Sequence, residues 1–225
     1  MLKLICYFCG MAVLQFVHIP KCAGTSCWDL LNRLSSSTSQ SYTPVHHPFQ
    51  KSISADFTFT IIRDPIERLI SFYKFVTKGK CHHLVVRNPL LHKSSLFEFC
   101  SYLISINNPE FSNLMTKFIS GSLKEETSFV DAISVINNGG FNHIGFVDTY
   151  HQTENVLRSF FGSPPSSPST SSLPRLQQSK LDHIEDQANY KEALSLICQH
   201  NLEDIALYSY LLKLKNSDCS AHLFN

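Results

Sequence analysis

Apolar positions along the chain switch between two periods. Leu14-Gln15-Phe16-Val17-His18-Ile19, closed by Pro20, predicts a first strand. Cys27, Leu30, Leu31 and Leu34 then recur at i, i+3, i+4 and i+7, one face of a helix. A Ser/Thr/Gln tract over 35–41 predicts a loop. Phe57-Thr58-Phe59-Thr60-Ile61-Ile62 is β-branched and aromatic and predicts a second strand. Asp64-Pro65-Ile66-Glu67 reads as a helix start: an N-cap Asp, Pro at the first helical position and Glu three residues after the cap. Ile66, Leu69, Ile70 and Tyr73 continue that helix.

Further helical faces are Leu96/Phe99/Cys100/Leu103, Phe111/Leu114/Met115/Phe118 (ended by Gly121) and Phe129/Ile133/Ile136. Gly139-Gly140 breaks the chain, and Ile144–Val147 predicts a short strand. Val156, Leu157, Phe160 and Phe161 predict a helix stopped by Gly162. Residues 163–174 are nearly all Ser, Pro and Thr, the composition of a mobile loop. Tyr190/Ala193/Leu194/Ile197 and Leu202/Ile205/Leu212 predict closing helices. No internal repeat is present. Strands alternating with helices predict an α/β fold, a central parallel sheet flanked by helices in three layers. Ligands in such folds sit at the carboxyl ends of the strands. Here those are the turns after Ile19 and after Ile62.

Composition narrows the function classes. The 225 residues carry 19 Lys+Arg against 18 Asp+Glu, so no basic excess points to nucleic acid. With 43% hydrophobic and 16% charged residues the chain is too apolar to be disordered and is read as one domain over 1–225. No apolar run approaches the length of about 20 residues that a membrane span needs. Met1–Val17 has one early Lys and an apolar stretch, as a secretory leader does. It runs without a small-residue cleavage site into the first strand, so a buried strand or its lead-in is the reading taken. Eight cysteines include one C-x-x-C, Cys6 and Cys9, without a second pair or a His pair at finger spacing, so no metal site is expected. Reduced core thiols are the expected state.

The chemistry concentrates at the two turns. Pro20-Lys21-Cys22-Ala23-Gly24-Thr25-Ser26 leaves a strand and opens a helix. Successive backbone N–H groups there suit a phosphate or sulfate. Gly24 permits close approach, Thr25 and Ser26 supply hydroxyls, and Lys21 supplies a mobile charge; an ordinary capped loop is the alternative. A nucleotide triphosphatase would require G-x-x-x-x-G-K-[ST]. Here Lys21 precedes the only Gly of the turn, so the order is wrong. In the second turn, Arg63 has a planar fork suited to phosphate; its alternative is an ion pair with Asp64 or Glu67. Asp64, Arg68 and Ser71 are read as one stripe, which would let Ser71 face a ligand held by Arg63.

These two segments, Phe16 to Ser26 (FVHIPKCAGTS) and Ile61 to Phe75 (IIRDPIERLISFYKF), resemble the sulfotransferases that use 3′-phosphoadenosine 5′-phosphosulfate. The likeness is to the Golgi carbohydrate type, the heparan sulfate 2-O-sulfotransferases and their relatives. Weaker echoes are residues 113–118, Gly145-Phe146-Val147-Asp148 and Leu176-Gln177-Gln178-Ser179, in the expected order. The resemblance implies a P-loop-like fold related to nucleotide kinases and a metal-free reaction. It implies that the turn Lys21, Cys22, Ala23, Gly24, Thr25 and Ser26 holds the 5′-phosphosulfate, with Lys21 assisting the leaving oxygen. It further implies that Arg63 and Ser71 hold the 3′-phosphate. Cys22-Ala23 departs from the commoner Thr-Gly, which removes one hydroxyl contact, about 0.5–1.5 kcal/mol.

The acceptor, a carbohydrate or other hydroxyl-bearing molecule, must lose a proton, and a His suits that task near neutral pH. In this family that His lies between the two cofactor motifs, where His46 and His47 stand, with His47 preferred. Lys78, Lys80, His82, His83 and Arg87 form a basic stretch that is either a rim for an acidic acceptor or a solvated loop. His18 reads as a strand-end residue, Trp28 as a core residue rather than an adenine platform, and Asn113, Thr116 and Lys117 have no assigned role. The rival classes are a small-molecule or nucleotide kinase and a catalytically silent nucleotide-binding relative. The absence of an anchor or clear leader points to the cytoplasm, while the resemblance points to the Golgi lumen.

Overall fold

The computed structural model describes residues 13–38, 47–164, 184–217 and 221–224. Cys6, Cys9, His46, the 176–179 segment and most of the Ser/Pro-rich stretch lie outside the described residues.

Three strands, β1 (Leu14–Val17), β2 (Phe57–Ile62) and β3 (His143–Phe146), form one sheet in the order β1-β2-β3. Both pairings are parallel, with Val17 opposite Thr60 and Ile62 opposite Phe146. This register sets the ends of β1 and β2 side by side, and the Thr60 hydroxyl donates to the Val17 carbonyl at 2.8 Å. β1 is shorter than predicted because Ile19 already belongs to the turn, its carbonyl accepting from Cys22 N–H at 3.2 Å. β3 begins and ends one residue earlier than predicted.

Each face of the sheet is buried, as a parallel sheet requires. On one side Phe16, Phe59 and Ile61 pack with Leu30 and Leu31 of α1 (Gly24–Thr38) and Leu157 of α7 (Tyr150–Phe160). On the other, Val17, Ile62 and Phe146 meet Leu114 and Met115 of α5 (Leu114–Ser120), Ala132 of α6 (Phe129–Asn137) and Leu207 of α9 (Leu202–Lys215). The short α10 (Ala221–Phe224) closes that side through Leu223 and Phe224. Alternating side chains of β2 thus feed two separate cores, which makes the three layers. A third apolar cluster joins α2 (Pro65–Thr77), α3 (His82–Arg87), α4 (Leu96–Ser105) and α8 (Tyr190–His200) through Leu69, Phe72, Leu84, Phe99 and Ile197. Among the described residues no helix is long and apolar enough to cross a membrane.

Helix α2 starts where the sequence predicts. Asp64 Oδ1 accepts from Ile66 and Glu67 N–H at 2.9 and 3.0 Å, and Pro65 holds the first helical position. Such a cap contributes about 1 kcal/mol. Helices α5 and α9 cap each other. Asp204 accepts from Met115 and Thr116 N–H at 3.1 and 2.8 Å, while Asn113 Oδ1 accepts from Glu203 and Asp204 N–H at 3.1 and 3.3 Å. Asn113 does this from a left-handed backbone (φ 50°), which is why α5 begins after it and not at Phe111. These contacts give Asn113 and the Thr116 backbone a role that periodicity alone did not assign.

His143 lies buried in β3 with Nε2 3.0 Å from the Thr153 hydroxyl. Burial, with the Lys215 charge nearby, lowers its pKa from 6.5 to about 4. The unfolded chain therefore binds more protons between those values, and stability falls as pH drops through that window. The full span is worth roughly 3 kcal/mol. In urea unfolding from pH 7 to pH 4, His143→Gln should lose most of this dependence; an unchanged slope would contradict the assignment.

Candidate active site

The first turn has a backbone that its sequence does not advertise. Lys21 and Ala23 are both left-handed, at φ 70° and 59°, while Cys22 between them keeps a negative φ. Alternation of this kind aims successive N–H groups into one concavity, an anion nest, which here runs into the N-terminus of α1. A left-handed non-glycine residue costs roughly 1–2 kcal/mol. Gly24 is required for a different reason: a Cβ there would lie 1.6 Å from His18 Nε2. The His18 ring, tilted against Phe16 and edge-on to Trp28, thus walls the turn. Trp28 packs on Phe16 as a core residue.

Cys22 turns inward and is almost fully buried. It lies under the second turn, where the Arg68 and Arg63 charges act on it. Burial raises the thiol to about 12, keeping it neutral. The side chain of Cys22, which replaces the commoner Thr of this turn, therefore faces the interior.

The second turn supplies side chains. Arg63 is half-buried, and its Nε donates to Glu67 Oε2 at 3.2 Å. Of the two ion-pair partners weighed, Glu67 is therefore the one found; Asp64 is occupied by its cap. Glu67 consequently does not complete a capping box. The ligand-facing stripe of α2 also differs from expectation. Arg68 does not share it: Arg68 is wholly buried and donates Nη2 to the Glu110 carbonyl at 3.1 Å. The accessible row is Glu67, Ser71 and Phe75, spaced by four. Ser71 is half-buried on that row.

Lys21 reaches over this row, its Nζ 3.8 Å from the centre of the Phe75 ring. Burial, then the Arg63 charge, lowers its pKa to about 8, with Lys80 adding to the shift and Glu110 opposing it. Lys21 and Arg63 are thereby neighbours, and Phe75 beneath Lys21 stands one turn along α2 from Ser71. Lys78, Lys80, His82, His83 and Arg87 are exposed on and before α3, and Lys80 approaches Lys21.

His47 is exposed, and no described contact joins it to either turn. Its segment is fixed through Phe49 N–H to the Phe118 carbonyl at 2.7 Å and through the Gln50 carbonyl to Gln15 Nε2 at 3.2 Å. Gln15 belongs to the amino half of β1, whereas the turns lie beyond its carboxyl end. Sequence reading missed Glu110 and Phe75. Phe75 was visible as i+4 from Ser71; Glu110 had no local signal, because it enters from a distant loop.

A backbone nest, an Arg fork and a Lys seated on Phe75 thus stand at the carboxyl edge of a parallel three-layer sheet, chemistry suited to anionic groups. Residues 7–214 match the family model described as "Sulfotransferase family", and the chain belongs to that family. No curated protein and no solved structure matches it.

The strain at position 23 is directly measurable. Ala23→Gly relieves a positive φ at the cost of some unfolded-state entropy, a net stabilisation of about 0.5–1 kcal/mol. The melting temperature should rise by roughly 1–4 °C. A fall would show that Ala23 is not left-handed in solution.

Proposed function

We propose that this sulfotransferase moves a sulfuryl group from 3′-phosphoadenosine 5′-phosphosulfate to a hydroxyl of a carbohydrate acceptor. The observation that carries the reading is the left-handed nest at Lys21–Ala23 with Arg63 as its neighbour across the two turns. Two anionic ends require two anion sites, and the two turns offer them on neighbouring strands. The fit is chemical. Backbone N–H groups of residues 23–26 suit a tetrahedral anion, the Cys22 N–H being engaged by the Ile19 carbonyl, and the Arg63 fork suits a terminal phosphate oriented by the Ser71 hydroxyl.

In this reading the donor supplies an activated sulfuryl group, and the chain supplies position and charge. Helix α1 presents N–H groups that do not reorganise as charge develops. Lys21 swings from Phe75 to the leaving oxygen; leaving the ring costs about 0.5–2 kcal/mol, which an ion–anion hydrogen bond of about 1.5–3 kcal/mol offsets. Arg63 must exchange Glu67 for phosphate. That pair is half-exposed and worth at most about 1 kcal/mol, so the exchange is easy. The proton-accepting His expected at His46 or His47 has support only from sequence position. A cytoplasmic or a Golgi-lumenal setting is compatible with this chemistry.

Incubation with ³⁵S-labelled donor and a panel of polysaccharides and simple glycosides should label at least one hydroxyl-bearing acceptor. Arg63→Ala should weaken donor binding by about 1.5–3 kcal/mol, some 10- to 150-fold. Binding of 3′,5′-adenosine bisphosphate should weaken as pH rises above about 8, because Lys21 loses its charge there. Lys21→Met should remove that dependence. Phosphoryl transfer from ATP–Mg²⁺ without sulfuryl transfer would overturn the reading.

A further inference from the structure

The ring of Phe75 lies under Lys21, and its surroundings limit what can touch it. Phe75 is half-buried and packs against the apolar cluster that joins α2, α3, α4 and α8. Its backbone is pinned as well. The Phe75 carbonyl accepts from Lys80 N–H at 3.1 Å, where the chain doubles back through left-handed Gly79 (φ 71°). The ring is thus fixed by its helix and by the cluster it packs on. Lys21 Nζ lies 3.8 Å from the ring centre, in contact with the ring face. An ammonium so placed leaves no room for another group on that face, and only the Lys21 side chain has to move to uncover it.

We propose that the Phe75 face is the platform for the acceptor, taking the apolar C–H face of a pyranose ring, and that Lys21 covers it until Lys21 turns to the donor. The proposal rests on the sulfuryl-transfer reading. A pyranose carries its hydroxyls around its edge, so its C–H faces gain by covering an aromatic ring while the hydroxyls keep polar company. Position supports the same role. One side chain touches the ring and, in that reading, also serves the leaving oxygen. The ring face therefore lies within the span of a Lys side chain from the reacting group. Cation and sugar cannot share the face. In the free protein the acceptor has to displace Lys21; with the donor side filled, Lys21 has already left. Donor and acceptor are thus coupled through one side chain, each tightening the other by the same factor. That factor is the worth of the ring contact, roughly 2- to 30-fold, and it favours donor before acceptor.

Calorimetry reads the coupling. The acceptor is whichever glycoside or polysaccharide the ³⁵S panel labels most. The donor side is filled with saturating 3′,5′-adenosine bisphosphate, whose 5′-phosphate carries the leaving oxygen. The wild type should bind the acceptor roughly 2- to 30-fold more tightly with the bisphosphate than without it. Lys21→Ala uncovers the ring and should bind the acceptor equally in both states, at about the tighter affinity. Phe75→Leu keeps an apolar side chain towards the cluster. It should bind the bisphosphate alone at least as tightly as wild type, because Lys21 has no ring to leave. Its acceptor affinity should fall about 10-fold, seen in KM more than in kcat. Phe75→Tyr keeps the ring face and should restore that affinity. Equal acceptor affinity of the wild type in both states, or wild-type acceptor affinity in Phe75→Leu, would overturn the proposal and leave sulfuryl transfer intact. Should Phe75→Leu fail to fold, coupling retained in Lys21→Ala would overturn it by itself. Failure of the wild type to bind the bisphosphate, or to label any acceptor, would overturn the proposal and the reading together.

Discussion

One wholly buried guanidinium lies at the centre of the ground beneath the site. Arg68 is wholly enclosed, and its charge acts on Cys22 below the first turn, on Glu110 in its loop and on Asp204 at the start of α9. Asp204 in turn caps α5, and Asn113 caps α9. The Arg68 hydrogen bond to the Glu110 carbonyl ties the Glu110 loop to α2, while Cys22 and Asp204 lie within reach of its field. Tertiary contacts around the first turn let Lys21 and Ala23 stay in left-handed conformations that an isolated loop would abandon.

Above this base the work divides by type of group. Backbone N–H groups, which cannot move away, form the anion nest. Long side chains that can move carry the charge: Lys21 rests on Phe75 and Arg63 on Glu67, each in a contact weak enough to exchange for a ligand. The free protein thus keeps its cations in contact, and burial, followed by the Arg63 charge, lowers the Lys21 pKa to about 8. In the proposed reading a dianionic ligand would bring negative charge to these cations, which favours binding.

The layers of the fold and its two turns were legible because they rest on local rules. Phe57–Ile62 forms β2 at its predicted bounds, and Asp64-Pro65 starts α2 as its capping chemistry requires. The stripe of α2 was misjudged at Arg68, since a charged residue carries no signal that a distant carbonyl and carboxylate will bury it. The left-handed backbone of Lys21 and Ala23 was hidden for a related reason: neither residue type favours that conformation, and tertiary contacts impose it. The caps between α5 and α9, and the placing of Glu110 near Lys21, join residues far apart in sequence. Periodicity reports which face of an element is buried, not which element will meet it.

The most direct measurement is thermal unfolding with 3′,5′-adenosine bisphosphate, set against ATP with Mg²⁺. At about 100 times its Kd the bisphosphate should add roughly 2.7 kcal/mol, a rise of roughly 5–11 °C for a chain of this size. ATP with Mg²⁺ should add much less. Stabilisation by ATP–Mg²⁺ alone, or by neither ligand in a cooperatively folded sample, would contradict the claim that these two turns form one donor site.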